Sequence, residues 1–268
     1  MPRRLACSLA LVPLVAAGCI VPEKAAPNVG FGATLASKFV HRGMTLVDDA
    51  VLQSKMSVAL PTTFGPTDRI QVEAEGAMEL SDQNGDSWFP DGHAGRFTQI
   101  EMLGSYQRTF GDLTLRGGIH SYNLPNGTEF QNGERGGTTE LFLLASMNVL
   151  EANPYVAVHY DFDEVRSAYY RAGMAEDIPL GDKWAIDLDG SIGYVSEAQS
   201  AWMYGFDEPG VADLRGELVL RYQYDDRTTL RAGVHGSLIV DDDIDEWFTD
   251  LGIDDDPIWF SLGVGWVF

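Results

Sequence analysis

Residues 258–268 read IWFSLGVGWVF. In an extended chain Ile258, Phe260, Leu262, Val264, Trp266 and Phe268 fall on one face, and Trp259, Ser261, Gly263, Gly265 and Val267 on the other. One face is large and apolar, the other mostly small. A period of two with unlike faces defines a strand between two different environments.

Eleven further stretches share this character: 29–42, 51–60, 69–80, 97–109, 113–123, 138–149, 154–163, 168–179, 184–195, 213–224 and 229–240; the last strand is read over 257–268. Turn chemistry separates them. Around 214–224, Leu214, Leu218, Leu220, Tyr222 and Tyr224 oppose Arg215, Glu217, Arg221 and Gln223. At 70–80, Ile70, Val72, Ala74, Met78 and Leu80 oppose Gln71, Glu73, Glu75 and Glu79. No stretch supports a long amphipathic helix. After the leader, no apolar run reaches the ~18 residues a membrane helix needs. A helical membrane protein is excluded, whereas a barrel hides its apolarity in alternation.

Alternation alone fits a soluble β-sandwich equally well, with the charged face solvated. The connections discriminate. Short ones lie near 110–112, 150–153, 180–183 and 225–228, and long ones occupy 81–96, 124–137, 196–212 and 241–256. Short turns at one end and long loops at the other are the membrane-barrel pattern, from which 61–68, longish for a turn, and 43–50 and 164–167, modest for long loops, depart. Trp184 with Tyr194, and the group Tyr155, Tyr160, Phe162, Tyr169 and Tyr170, suit interfacial girdles. The fold expected is all-β: a twelve-stranded antiparallel up-and-down transmembrane β-barrel over residues 29–268.

The chain holds 18 basic and 40 acidic residues, a net charge of -22. Such a balance repels phosphate backbones and argues against nucleic acid as a partner. The two cysteines, Cys7 and Cys19, lie near the start, so nothing later can form a disulfide. Arg3 and Arg4 precede the apolar run Leu5 to Val15, and residues 1–18 read as a secretion signal. Ala16-Ala17-Gly18-Cys19 resembles a lipobox, which makes Cys19 the lipidation candidate and 19–28 a tether; ordinary cleavage after Gly18 is the alternative.

The free aromatic end of the last strand resembles the closing strand of outer-membrane barrels, and this makes Trp266 and Phe268 the expected assembly signal. The first segment carries Ser37-Lys38-Phe39-Val40-His41-Arg42-Gly43, followed by Asp48-Asp49 and Gln53. Thr138-Thr139-Glu140, Tyr160-Asp161-Phe162-Asp163, Ile178-Pro179-Leu180-Gly181 and Asp241-Asp242-Asp243-Ile244 follow at strand ends. Together these stretches resemble the TorF-type porins over residues 28–268. The lipobox and the heavily acidic last loop depart from that family. The resemblance implies a twelve-stranded outer-membrane barrel with pore activity in a Gram-negative-type bacterium. Its partners would be outer-membrane lipid, the barrel-assembly machinery and small solutes. No cofactor is implied, and there are no catalytic residues to transfer.

The inner face is the expected functional surface. Basic candidates for lining it are Lys38, Arg42, Lys55, Arg116, Arg171, Arg215, Arg221 and Arg231; acidic ones are Glu73, Glu75, Glu79, Glu101, Glu140, Asp161, Asp187, Asp189 and Glu217. Charges of both signs would filter small solutes, charged ones included, during passive diffusion. The alternative is that they pair and close the barrel, leaving the acidic outer loops to contact the cell surface or a partner. For Arg42-Gly43 the preferred reading is an arginine snorkelling at the rim beside a glycine turn. The other is an arginine that forms a constriction or anchors a loop. Asp241, Asp243 and Asp245 offer oxygen ligands for Ca²⁺ or Mg²⁺, but the sixth position from Asp241 is Glu246, out of EF-hand register. His41, His120, His159 and His235 share no metal-ligand spacing, and no GxSxG marks an esterase, so an enzyme is not expected.

Overall fold

The last strand closes onto the first, with Gly30 opposite Val267 and Ala36 opposite Ser261. The computed structural model describes residues 27–268 apart from 63, 66, 84, 90, 126–136, 150 and 151. The signal, Cys19 and most of the tether lie outside the described residues, as does most of the loop at 124–137.

The strands are β1 Asn28–Ala36, β2 Phe39–His41, β3 Met44–Val47, β4 Val51–Pro61, β5 Arg69–Glu79, β6 Phe97–Phe110 and β7 Leu113–Asn123. They continue with β8 Gly137–Met147, β9 Asn153–Asp161, β10 Ala168–Pro179, β11 Trp184–Val195, β12 Gly210–Gln223, β13 Thr228–Ile239 and β14 Ile258–Val267. Helices α1 Glu197–Met203 and α2 Asp242–Leu251 lie in the connections before β12 and β14. Among the described residues, β1 and β4–β14 form one closed antiparallel barrel of twelve strands, each paired with its sequence neighbours. Strands β2 and β3 pair only with each other.

Closure forces side chains alternately outward and inward. Outward stand Phe31, Leu35, Val72, Met102, Leu143, Val156, Met174, Leu218, Val234, Phe260 and Leu262, all exposed. Apolar exposure continuous around a whole barrel is the surface of a protein solvated by lipid. Phe31 stacks on Trp266 (5.7 Å) and Trp184 meets Tyr222 at a tilt (4.5 Å) at the short-turn end; Tyr170 and Tyr194 meet at 6.1 Å at the loop end. Aromatics thus mark both rims.

Three expectations change. The first strand stops at Ala36, not at 42, and residues 39–47 form a separate hairpin. Both the strand and the hairpin alternate, so the periodicity ran through the break. Tyr155 and Tyr169 point inward and leave the girdle: Tyr155 reaches Asp189 (3.1 Å) and Tyr169 reaches Asp213 (2.9 Å). The acidic loop 241–256 folds mainly as α2, whose start is capped by Asp241 accepting from the backbone N–H of Asp243 and Ile244. Asp241, one of the three carboxylates read as Ca²⁺ or Mg²⁺ ligands, thus closes a helix terminus, and Asp243 and Asp245 lie within the helix.

Candidate functional site: the barrel lumen

The site begins with a two-residue turn. His41 pairs with Met44, and between them Arg42 (φ 49°) and Gly43 (φ 85°) both adopt left-handed backbone. Two positive φ angles make the tight hairpin tip that matches strand twist. Gly43 is required for a second reason: a Cβ there would lie 2.8 Å from both Asp213 Cβ and Ile239 Cδ1. The tip is thus pressed against the inner wall at β12 and β13.

From that tip Arg42 reaches the opposite wall. Its Nη1 and Nη2 donate to Glu140 Oε1 (2.9 Å) and Oε2 (2.7 Å), a two-pronged pair on β8. Nη2 also donates to Tyr122 Oη (3.0 Å), whose hydroxyl donates to Glu140 Oε2 (3.0 Å). The guanidinium carbon stands 4.4 Å from the Tyr169 ring centroid, and Tyr204 donates to the Arg42 carbonyl (2.7 Å). Arg42 and Glu140 are 6% and 1% exposed, so both charges depend on each other for solvation. Arg42 is therefore a loop anchor; the rim position expected from the sequence is wrong, because the chain turns inward before reaching the rim.

Around this clamp the loop end is filled by apolar side chains. Met44, Leu46, Val47, Phe89, Met203, Tyr204, Ile244, Phe248 and Ile253 pack with Val51, Val195, Ala212, Ile239 and Trp259 of the wall. Backbone bonds interlock the layers: Trp88 N–H to Thr45 O (2.9 Å), Phe89 N–H to Leu46 O (3.1 Å), and Asp254 N–H to Asp86 O (3.0 Å). Lys38, outside the strands, bridges Asp48 and Asp254. Burial works against its charge, but the two carboxylates outweigh that and hold its ammonium above the ordinary lysine value.

Below the hairpin the barrel is hollow. A cavity of about 570 Å³ is roofed by Phe39, Val40 and His41 and walled by Gly30, Gly32, Gln53, Lys55, Ser57, Glu75, Gln99, Glu101, Arg215, Arg231 and Gly265. The glycines of β1 and β14 leave the room, since no side chain stands there.

The remaining charges pair in local groups along the inner face. Lys55 lies 3.0 Å from Glu73 and bridges Glu75; Arg116 lies 3.3 Å from Glu73. Arg221 joins Asp177 and Asp187 (2.6 Å), Arg215 joins Glu217, and Asp189 accepts from Tyr155. Arg171 approaches Asp213 at 3.7 Å. Asp161 binds the loop behind it, accepting from the N–H of Asp163 (3.0 Å) and Val165 (3.1 Å), and Glu79 accepts from Thr98 (3.0 Å). Arg231 borders the cavity with no ion-pair partner among the described residues. Tyr122, Tyr169, Tyr204, His120 and His159 belong to the clamp region; sequence reasoning missed Tyr122 and Tyr204, placed Tyr169 in the girdle, and found no spacing that joined the two histidines. The parity of β7, β9 and β10 marks four of them as inward-facing; Tyr204, in a loop, carries no such signal.

No protein-family model matches the chain, and no curated protein matches its sequence. Among solved structures the chain is similar to an outer membrane channel from Pseudomonas putida F1, with TM-score 0.56 and 9% identity over 90% of this chain and 95% of that one. It is also similar to the NanC porin, with TM-score 0.51 and 11% identity over 90% of this chain and 99% of that one. At such identities the likeness is one of fold alone, a closed antiparallel β-barrel.

Proposed function

We propose that the protein is an outer-membrane channel for passive diffusion of small, charged solutes, with its outer mouth shut in this conformation by the inward hairpin β2–β3. The observation that carries this reading is the roughly 570 Å³ cavity, walled by charges of both signs and ending against a hairpin clamped by one ion pair. A cavity of that kind on the short-turn side gives a solute an entry, and the barrier beyond it is the packed outer end whose innermost layer is the hairpin. In this reading residues 1–18 direct export, Trp266 and Phe268 serve recognition by the assembly machinery, and the cell is of Gram-negative type. The TorF-type resemblance accords with it.

A second reading, a closed barrel that binds a surface partner, is favoured by the packing of the outer end, where Tyr204 and Phe248 are fully buried. Recordings of the refolded protein in planar bilayers separate the two. Stepwise conductance that rises when Arg42 is replaced supports the channel. Silence in both wild type and the Arg42 variant, with barrels shown folded by heat-modifiable gel mobility, rejects it and leaves the closed barrel.

A further inference from the structure

We propose that the lumen carries a site for a first-row divalent transition metal ion, Zn²⁺ or a close neighbour, built from His120, Glu140 and His159. These residues sit on adjacent strands β7, β8 and β9, with His120 directly opposite Glu140 and His159 opposite Phe142, two residues further along β8. One ligand atom from each lies within 4.8 Å of the other two. His159 Nδ1 is buried without a hydrogen-bond partner and stands 3.2 Å from Glu140 Oε2. Glu101 Oε2 lies 2.7 Å from His120 Nε2. A carboxylate on the outer nitrogen of a histidine is the usual support for a metal-bound ring.

Two imidazoles and one carboxylate match Zn²⁺ and its neighbours, whereas Ca²⁺ and Mg²⁺ require cages of oxygen. Glu101, the partner of His120, borders the cavity on its short-turn side, which sets the cluster next to that space. Arg42 already holds both oxygens of Glu140. Ion and guanidinium therefore compete for one carboxylate, and metal affinity is set partly by the hairpin clamp.

The test is a titration of the refolded protein with Zn²⁺ alone, read by competition with a chromophoric chelator. One ion per chain is expected, with His120→Gln and His159→Gln each weakening binding about 10-fold or more. Arg42→Gln should tighten it, because the competing cation is gone. Unchanged affinity in both histidine variants, or displacement of Zn²⁺ by equimolar Ca²⁺, would place the ion on the acidic outer loops and overturn the assignment. Should a variant fail to fold, the Co²⁺-loaded wild type decides. Intense visible bands of a four-coordinate ion are expected, and the weak bands of a six-coordinate oxygen-ligated ion overturn the site.

Discussion

Replacing Arg42 with Ala removes one partner of an ion pair whose members are 6% and 1% exposed. Glu140 would then keep its charge in the packed end with Tyr122 donating to it (3.0 Å) and His159 Nδ1 3.2 Å away, but no cationic guanidinium. Breaking a buried pair from one side costs about 3–5 kcal/mol, since the remaining charge has lost its compensation. The penalty falls on the closed arrangement, because withdrawal of the hairpin lets water reach Glu140. At about 1.4 kcal/mol per tenfold, the closed-to-open ratio drops by roughly two to four powers of ten. Single-channel recording at fixed voltage should turn from long closures to predominantly open behaviour. Glu140→Ala should act in the same direction, stranding the guanidinium instead. The double variant leaves neither charge and should close more readily than either single one. Open probabilities equal to wild type in both single variants, or a double variant that is simply the sum of the two, would refute the argument. The hairpin would then be held by Leu46, Val47 and Phe248 and not by the ion pair.

Two other tests address the barrel. Leu262, 64% exposed and paired in mid-strand with Leu35 and Ala232, should face the hydrocarbon. Leu262→Arg is expected to destabilise the protein by about 2–4 kcal/mol in urea unfolding from lipid vesicles, and a near-neutral result would show that this face does not meet lipid. In the turn before β13, Asp225 Oδ1 accepts from the N–H of Arg227 (2.9 Å) and Thr228 (2.8 Å). Those bonds, that of Arg227 foremost, hold its carboxyl below the ordinary aspartate value. A depressed folded-state value means stabilisation present above the unfolded-chain value and lost as pH falls through the folded one. Wild type should therefore lose more stability than Asp225→Asn between about pH 5 and pH 2, as read from unfolding midpoints; parallel curves would contradict it.

The barrel was legible because its signal is local. Every strand must present apolar groups to one medium and polar or small groups to the other, and that requirement writes a period of two into each segment. Parity also assigned Lys55, Glu73, Glu75, Arg116, Glu140, Asp187, Asp189, Arg215, Glu217, Arg221 and Arg231 to one face. It could not say which of them pair. Arg116 reaches Glu73 from two strands away, while Arg231 has no ion-pair partner among the described residues, and such outcomes depend on register.

The hairpin shows where local signals stop. Phe39 to Val47 alternates whether it extends β1 or doubles back into the barrel, and Arg42-Gly43 makes a tip equally well at a rim or in a lumen. The choice is made by Glu140, some hundred positions later, together with Tyr122, Tyr169 and Tyr204. His120 and His159 are likewise far apart in sequence and meet only because β7, β8 and β9 are neighbours. By itself the sequence determined the strand count, the two faces and the closing strand, since these follow from side-chain parity and solvent. Only the tertiary structure decided that the outer mouth is filled, that Arg42 pairs across it with Glu140 and that His120 and His159 come together with that carboxylate, because each of these depends on contacts between residues with no local relation.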